Sequence, residues 1–325
     1  VDRYELRVAN RLWVDRSFPL AQPFTDMLDA HYRTGSAVPV DSAGNPEAAV
    51  REINGWVSRQ TEGRIPEVLG PVEPQNVRLM LANAVYFLGR WVEPFEPADT
   101  RDEDFHLSAG RTAKTPMMNG YLRRAGYAAF NGDGSPFRSP EFESGRNYPD
   151  ADGFQALELP YKGRDLAMLL LVPRASDGLG RLETLLSEGR LSEWAGRLDR
   201  RNVRAALPKF RITTSYRLNA PLKAMGLRRA FDEKSADLSG VGGKPAGEGG
   251  LFVSLVEHRA FVDVDEKGTE AAAVTIIWES KKDEPRQVPF IPVVRADRPF
   301  LFLIRDAKTG AVLFLGRVTD PTARP

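Results

Sequence analysis

The sequence predicts an α+β fold, mixed helix and antiparallel sheet in one compact domain over residues 1–325, and three observations lead there. Strand-like segments recur at 4–14, 76–91, 154–172 and 203–212. Helical periods interrupt them at 46–69, 182–198 and 218–225. No internal repeat and no interdomain linker divides the chain.

The segment 4–14 alternates apolar and polar residues as a half-buried strand does. From Pro46 to about Leu69 the apolar residues Val50, Ile53, Trp56, Val57 and Ile65 fall at near-helical spacing, with Gly63 as punctuation. Residues 76–91 read as a largely apolar strand, and 154–172 as two strands parted around 161–165. A helix over 182–198, a strand over 203–212, a short helix near 218–225 and a glycine-rich loop at 240–250 follow. Residues 131–152 are rich in Gly, Pro, Ser and charge and read as an exposed insertion, a tolerated loop before a contact site.

Composition excludes more than it identifies. Hydrophobic residues make up 42% and charged residues 27%, and 45 Lys and Arg against 44 Asp and Glu leave a formal charge of +1. No global field argues for nucleic acid or an acidic membrane, and no apolar run is long enough to span one. The group Arg197, Arg200, Arg201, Arg204, Lys209 and Arg211 reads first as a solvated basic face, since acids are interleaved with it. With no cysteine there is no disulfide or thiol chemistry, while extracellular, periplasmic and cytoplasmic locations all stay open. The start of the chain shows no signal-peptide pattern.

An enzyme reading finds little to stand on. The three histidines, His31, His106 and His258, form no zinc-binding pair, and neither a nucleophile elbow nor a phosphate-binding glycine loop occurs. No cofactor or metal is called for. The expectation is a protein that is not an enzyme.

The most informative stretch is 264–275, VDEKGTEAAAVT. Gly268 frees the backbone, and Thr269, Ala271, Ala273 and Thr275 would place only small groups on one face of a strand. Glu270, Ala272, Val274 and Ile276 would occupy the other. Such a segment suits a loop that can later slide into a sheet, although by periodicity alone an alanine-rich run is more often a helix.

Residues 258–266 (HRAFVDVDE), 81–91 (LANAVYFLGRW), 297–304 (DRPFLFLI), 314–318 (FLGRV), 53–57 (INGWV) and 207–210 (LPKF), taken with this hinge, resemble the serpin family over almost the whole chain. The resemblance implies the serpin fold: a mixed, largely antiparallel main sheet, surrounding helices, and an exposed reactive-centre loop at about 266–292. It also implies that an N-terminal helical portion is missing, because the segment 4–14 resembles one that serpins carry well inside the chain.

The function implied is suicide-type inhibition of a serine protease, with no catalytic residue and no metal of the inhibitor's own. Glu266, Gly268, Thr269, Glu270, Ala271, Ala272 and Ala273 correspond to the hinge. His258 and Asn83 correspond to a hydrogen-bonded shutter across sheet strands, and Trp91 to the breach where the strands part. Loop spacing from Gly268 points to Lys282 and Asp283 as the reactive bond, with Lys281 and Arg286 as alternatives. A basic residue there implies a trypsin-like partner, bound by a monomer that needs neither nucleic acid nor membrane. Glu279 runs against deep insertion, since alternation would turn its charge inward. The alternative is a non-inhibitory member of the family acting as a carrier, chaperone or interaction protein.

Overall fold

The computed structural model describes residues 3–32, 37–70, 77–107, 110–137, 152–269 and 290–323. In chain order the elements are β1 (Tyr4–Asp15), α1 (Gln22–Tyr32), β2 (Ala37–Val40), α2 (Pro46–Gln60), β3 (Leu79–Arg90), β4 (Arg101–His106), β5 (Thr112–Phe130), β6 (Phe154–Pro160) and β7 (Leu166–Pro173). There follow α3 (Leu179–Leu185), α4 (Glu188–Gly196), β8 (Asp199–Pro208), β9 (Phe210–Arg217), α5 (Asn219–Ala224), the single-turn α6 (Ser239–Gly242), β10 (Val253–Val264), β11 (Gly268–Thr269), β12 (Val293–Arg295), β13 (Phe300–Asp306) and β14 (Val312–Val318). The strands form a six-stranded sheet, in the order β2-β1-β3-β10-β9 with β11 on β3, and an eight-stranded sheet, β12-β8-β5-β6-β7-β13-β14 with β4 on β5.

The chain divides into two compact units, which it enters alternately. One comprises Val1–Glu5, Leu88–Arg211 and Asp263–Arg324, and the other Leu6–Phe87 and Ile212–Val262. In the first unit β7 is buried at all eight positions, so the leucine run at 169–171 is that of a strand covered on both faces. Its core gathers Phe130, Phe154 and Trp194, with Phe130 stacked on Phe154 at 4.8 Å and Trp194 edge-on to Phe154 at 4.8 Å. The Trp194 indole N–H donates to the Gly134 carbonyl at 3.0 Å, so the buried ring leaves no polar atom unpaired.

In the second unit Asn45 caps α2 by accepting from the Ala48 amide, with Pro46 at the first turn. Ala49, Ile53, Trp56 and Val57 form its buried stripe, and Trp56 packs edge-on against Trp13 of β1 at 5.9 Å. Residues 253–262 of β10 pair with β3 in parallel, Val256 with Leu81 through Val262 with Phe87. Ala82, Ala84, Tyr86, Leu255, Glu257 and Phe261 are buried on one face of that ladder, and Asn83 and His258 alternate to the other.

Three expectations need correction. The helix read over 182–198 is two helices, because Ser187 is extended and caps α4 by accepting from the Arg190 amide. The strand read over 203–212 is also two, β8 and β9, which belong to different sheets. The break falls at Pro208 and Lys209, where the Lys209 amide turns to the Pro116 carbonyl at 2.9 Å. The helix expected to reach Leu69 stops at Gln60, where Thr61 closes the last turn onto Val57 and Arg59.

Asp15 ends β1 and is 4% exposed. Burial alone would raise its pKa, but hydrogen bonds from Ser17, Ser42 and the Ala43 amide outweigh this and lower it to about 2. A depressed carboxylate stabilises the fold above its unfolded pKa near 3.8 and loses that contribution as pH falls toward 2. Chemical denaturation across this range is expected to show wild type losing about 2 kcal/mol that an Asp15→Asn variant does not lose.

Candidate functional site

Of the segment expected to be the hinge, residues 266–269 are described and belong to the first unit. β10 ends at Val264, the chain turns through Asp265, Glu266 and Lys267, and β11 starts back in the opposite direction. The turn is closed by the Asp265 amide on the Gly268 carbonyl at 2.8 Å and by the Gly268 amide on the Asp265 carbonyl at 3.2 Å. Gly268 and Thr269 then pair antiparallel with Arg90 and Gly89 at the end of β3. The β3 ladder therefore changes partner along its length: it holds β10 as far as Phe87, and Thr269 and Gly268 at Gly89 and Arg90.

Gly268 is required here for two reasons. Its φ of 133° lies where side chains are strained, and a Cβ would stand 2.1 Å from the Gly89 carbonyl oxygen and 2.7 Å from both Arg90 Cα and Trp91 N. No rotamer relieves a clash with backbone.

Trp91, 1% exposed, holds the turn from beneath. It stacks on Tyr161 at 4.6 Å, its indole N–H donates to the Asp265 carbonyl at 3.1 Å, and its amide donates to the Lys267 carbonyl at 3.0 Å. The Phe95 amide donates to the Glu266 carbonyl at 2.8 Å. The Glu266 side chain accepts from Thr100 Oγ1 at 2.8 Å and from Lys209 Nζ at 2.8 Å.

The neighbouring carboxyls shift in opposite directions. Burial raises both, but at Glu266 Lys209 and Thr100 reverse it and hold the group below its usual range. Asp265 has the Lys267 amide at 2.9 Å as partner; burial raises its pKa, with the charges of Glu266 and Asp263 adding to the rise. One charge is thus kept at the turn and the second disfavoured.

In the second unit His258 stands opposite Asn83 in the β3–β10 ladder, and its Nδ1 lies 2.5 Å from Asn83 Oδ1. Asn83 Nδ2 donates to Asn10 Oδ1 at 2.5 Å, which leaves Oδ1 as the acceptor and gives His258 a proton on Nδ1. Burial lowers the pKa of the imidazole, favouring the neutral ring. Trp91, Glu266 and Gly268 thus come together in one unit, and Asn83 and His258 in the other.

Glu270, Ala271, Ala272, Ala273, Glu279, Lys281, Lys282, Asp283 and Arg286 lie outside the described residues, as does 138–151 of the suggested insertion. Four members of the basic group are ion-paired: Arg200 with Glu158, Arg201 with Asp199, Lys209 with Glu266, and Arg211 with Asp263. Their first task is local neutralisation. Among the described residues no group of three or more His, Asp or Glu could hold a metal ion, and no helix is long and apolar enough to cross a membrane. From the sequence Lys209 reads only as part of the basic face, and Thr100 is not singled out. Neither that group nor the 207–210 motif gives a sign that this lysine reaches Glu266, 57 residues on.

The model of the family described as Serpin (serine protease inhibitor) matches residues 1–321. An uncharacterized serpin-like protein of Thermococcus kodakarensis is 38% identical over 316 residues, 97% of this chain and 66% of that protein. Rat leukocyte elastase inhibitor A is 36% identical over 325 residues, 98% of this chain and 78% of the inhibitor. The chain thus spans about two thirds to four fifths of these relatives' lengths. The structure of human thyroxine-binding globulin with its thyroxine superposes with a TM-score of 0.79 at 28% identity, covering 99% of this chain and 77% of the globulin.

Gly268→Ala is expected to cost about 2 kcal/mol by breaking the approach to Gly89. Hydrogen exchange would read it as faster exchange, by about tenfold or more, of the Trp91 and Phe95 amides, whose acceptors are Lys267 and Glu266.

Proposed function

The chain belongs to the serpin family, and from that premise we propose that it is a suicide-type inhibitor of serine proteases of the trypsin-like class. The observation that carries the reading is the short antiparallel pairing of Gly268 and Thr269 with Arg90 and Gly89. It is the first step of a strand laid along β3. Continuing that register one for one would pair Ala271 with Phe87, Ala273 with Val85 and Thr275 with Asn83. On that register Thr269, Ala271, Ala273 and Thr275 would join the face of Asn83 and His258, and Glu270, Ala272 and Val274 the buried face of Ala82, Ala84 and Tyr86; the three alanines at 271–273 keep small the volume that the entering strand adds to either face.

Entry requires β10 to leave β3 along the nine paired positions from Val253 to Val262. The contact between His258 and Asn83 would have to open, and Thr275 would arrive beside Asn83 with a hydroxyl to replace it. The inserted strand gains a ladder on each side in place of the one that opened, a strand addition of which serpin loop insertion is itself a standard instance. The uninserted fold then owes its persistence to a barrier, and cutting the loop releases the stored free energy.

In the proposed reaction the protease serine attacks the Lys282 carbonyl carbon. The bond to Asp283 breaks, with the new amine leaving on Asp283, and Lys282 remains esterified to the serine. Insertion carries the protease away before water completes hydrolysis. Lys282 fits an acidic specificity pocket, with Lys281 and Arg286 as the competing assignments. The inhibitor supplies bait and motion and no catalytic group, acting as one domain and as a monomer. The family match from residue 1 to 321 supports treating the chain as one domain. Relatives named as elastase inhibitors support the inhibitory reading, while the thyroxine complex of the globulin supports a carrier role. The proline-free, small-residue hinge favours inhibition.

Incubation with trypsin is expected to give a complex that survives denaturing electrophoresis, with a new terminus at Asp283. Cleavage without a complex would favour the carrier reading. Ala271→Pro should convert inhibitor to substrate, because proline removes a ladder donor in the entering strand. Lys282→Ala should reduce trapping of trypsin by more than about tenfold; unchanged trapping would move the reactive bond to Lys281 or Arg286.

A further inference from the structure

Pairing of Arg200, Arg201, Lys209 and Arg211 leaves Arg197 and Arg204 as the members of the basic group with no ion pair among the described residues. Arg204 lies on β8, paired with Val293 of β12 on one side and Tyr121 of β5 on the other. Residues paired across strands point to the same face of a sheet, so these three side chains form one row. All three are exposed, Val293 at 46% and Tyr121 at 38%, whereas Leu122, Val203 and Val294, one step along each strand, are buried. The row is the outer surface of three strands whose other face is core.

Next on the same face of β8 comes Asn202, also exposed, whose Oδ1 accepts from the amide of exposed Arg124 at 3.3 Å. The carboxylates beside the row are engaged elsewhere, Glu103 by Arg295 and Asn119, and Glu93 by the Arg123 amide. An apolar residue, a tyrosine and an unopposed guanidinium held on a sheet make the composition of a protein-docking surface, here of positive sign. Its place relative to the loop says what docks. The Arg204 amide donates to the Pro292 carbonyl at 2.9 Å, so the chain returning from the loop is fastened to the row itself. Asp283, on the far side of the expected reactive bond, precedes Val293 by ten residues, a span of at most about 36 Å. A protease holding that bond is tethered within that distance of the row.

We propose that the row Val293–Arg204–Tyr121 is a docking surface for the protease itself, engaging an acidic patch beside its active-site cleft. This rests on the reading of the chain as an inhibitor of trypsin-like proteases and deepens it. The loop selects the residue cut, and the row selects, by surface charge, among enzymes that share that preference. Contact there steers the encounter, so it acts on the rate of association more than on the acyl-enzyme formed afterwards.

The test compares anionic and cationic trypsin, which cleave after the same residues and carry opposite net charge. Wild type is expected to associate with the anionic enzyme about tenfold faster at low salt, an advantage that shrinks as salt is raised. Arg204→Glu should slow the anionic enzyme by about fivefold or more and speed the cationic one. Damage to the fold would not produce changes of opposite sign. With anionic trypsin whose catalytic serine is replaced by alanine, hydrogen exchange of the unaltered inhibitor should show added protection of 121–124 and 202–204. Failure to trap either trypsin would overturn the inhibitory reading and this proposal with it. Trapping of both at equal rates, an Arg204→Glu variant that responds alike to the two enzymes, or no added protection would overturn the docking surface alone.

Discussion

The structure depends on how closely one backbone can approach another at Gly268. A carbonyl oxygen at Gly89, the Arg90 Cα and the Trp91 nitrogen all occupy the space that a Cβ would need. Only because that atom is missing can the chain reverse after β10 and lay Gly268 and Thr269 along the end of β3. Without that approach the turn has no register, and the Trp91 and Phe95 amides lose the acceptors that the turn presents to them. The loop would then begin at an undefined place.

Two ladders share the edge that β3 presents, and the same geometry explains both. Along 79–87 the strand is taken by β10, with His258 and Asn83 closing their polar groups on one another. At 89–90 it is taken by the hinge. The amide and imidazole are satisfied with β10 in place, so opening that ladder leaves them exposed until another polar group arrives. That cost is part of the barrier the proposed mechanism needs. Glu266 adds to it: nearly buried, kept charged by Lys209 and Thr100, it fixes the base of the loop by charge-assisted hydrogen bonds.

The parts of this arrangement that the sequence made legible are those written locally. The glycine and small residues of 266–275 are contiguous, and the alternation of β3 and of β10 puts Asn83 and His258 on definable faces. That Asn83 and His258 should meet came from family resemblance, not from spacing, since they are 175 residues apart. The Glu266 clamp was illegible for the same reason, its partners being 57 and 166 residues away. β5 passed unread because its 19 residues mix arginine, glycine and methionine without a sustained period, and its bulge interrupts what alternation there is. Ser187 and Pro208 were visible, but a single cap or proline competes with the apolar pattern on either side, and the longer pattern was followed.

Under the proposed mechanism the protein would be more stable with residues 269–275 laid along β3 than before the loop is cut. The most direct measurement is the unfolding temperature before and after a single cut within residues 276–286, with both fragments retained. The account predicts that cutting raises it, because the freed segment completes the strand begun at Gly268. An unfolding temperature that stays the same or falls, as a nick in an ordinary loop would produce, contradicts it.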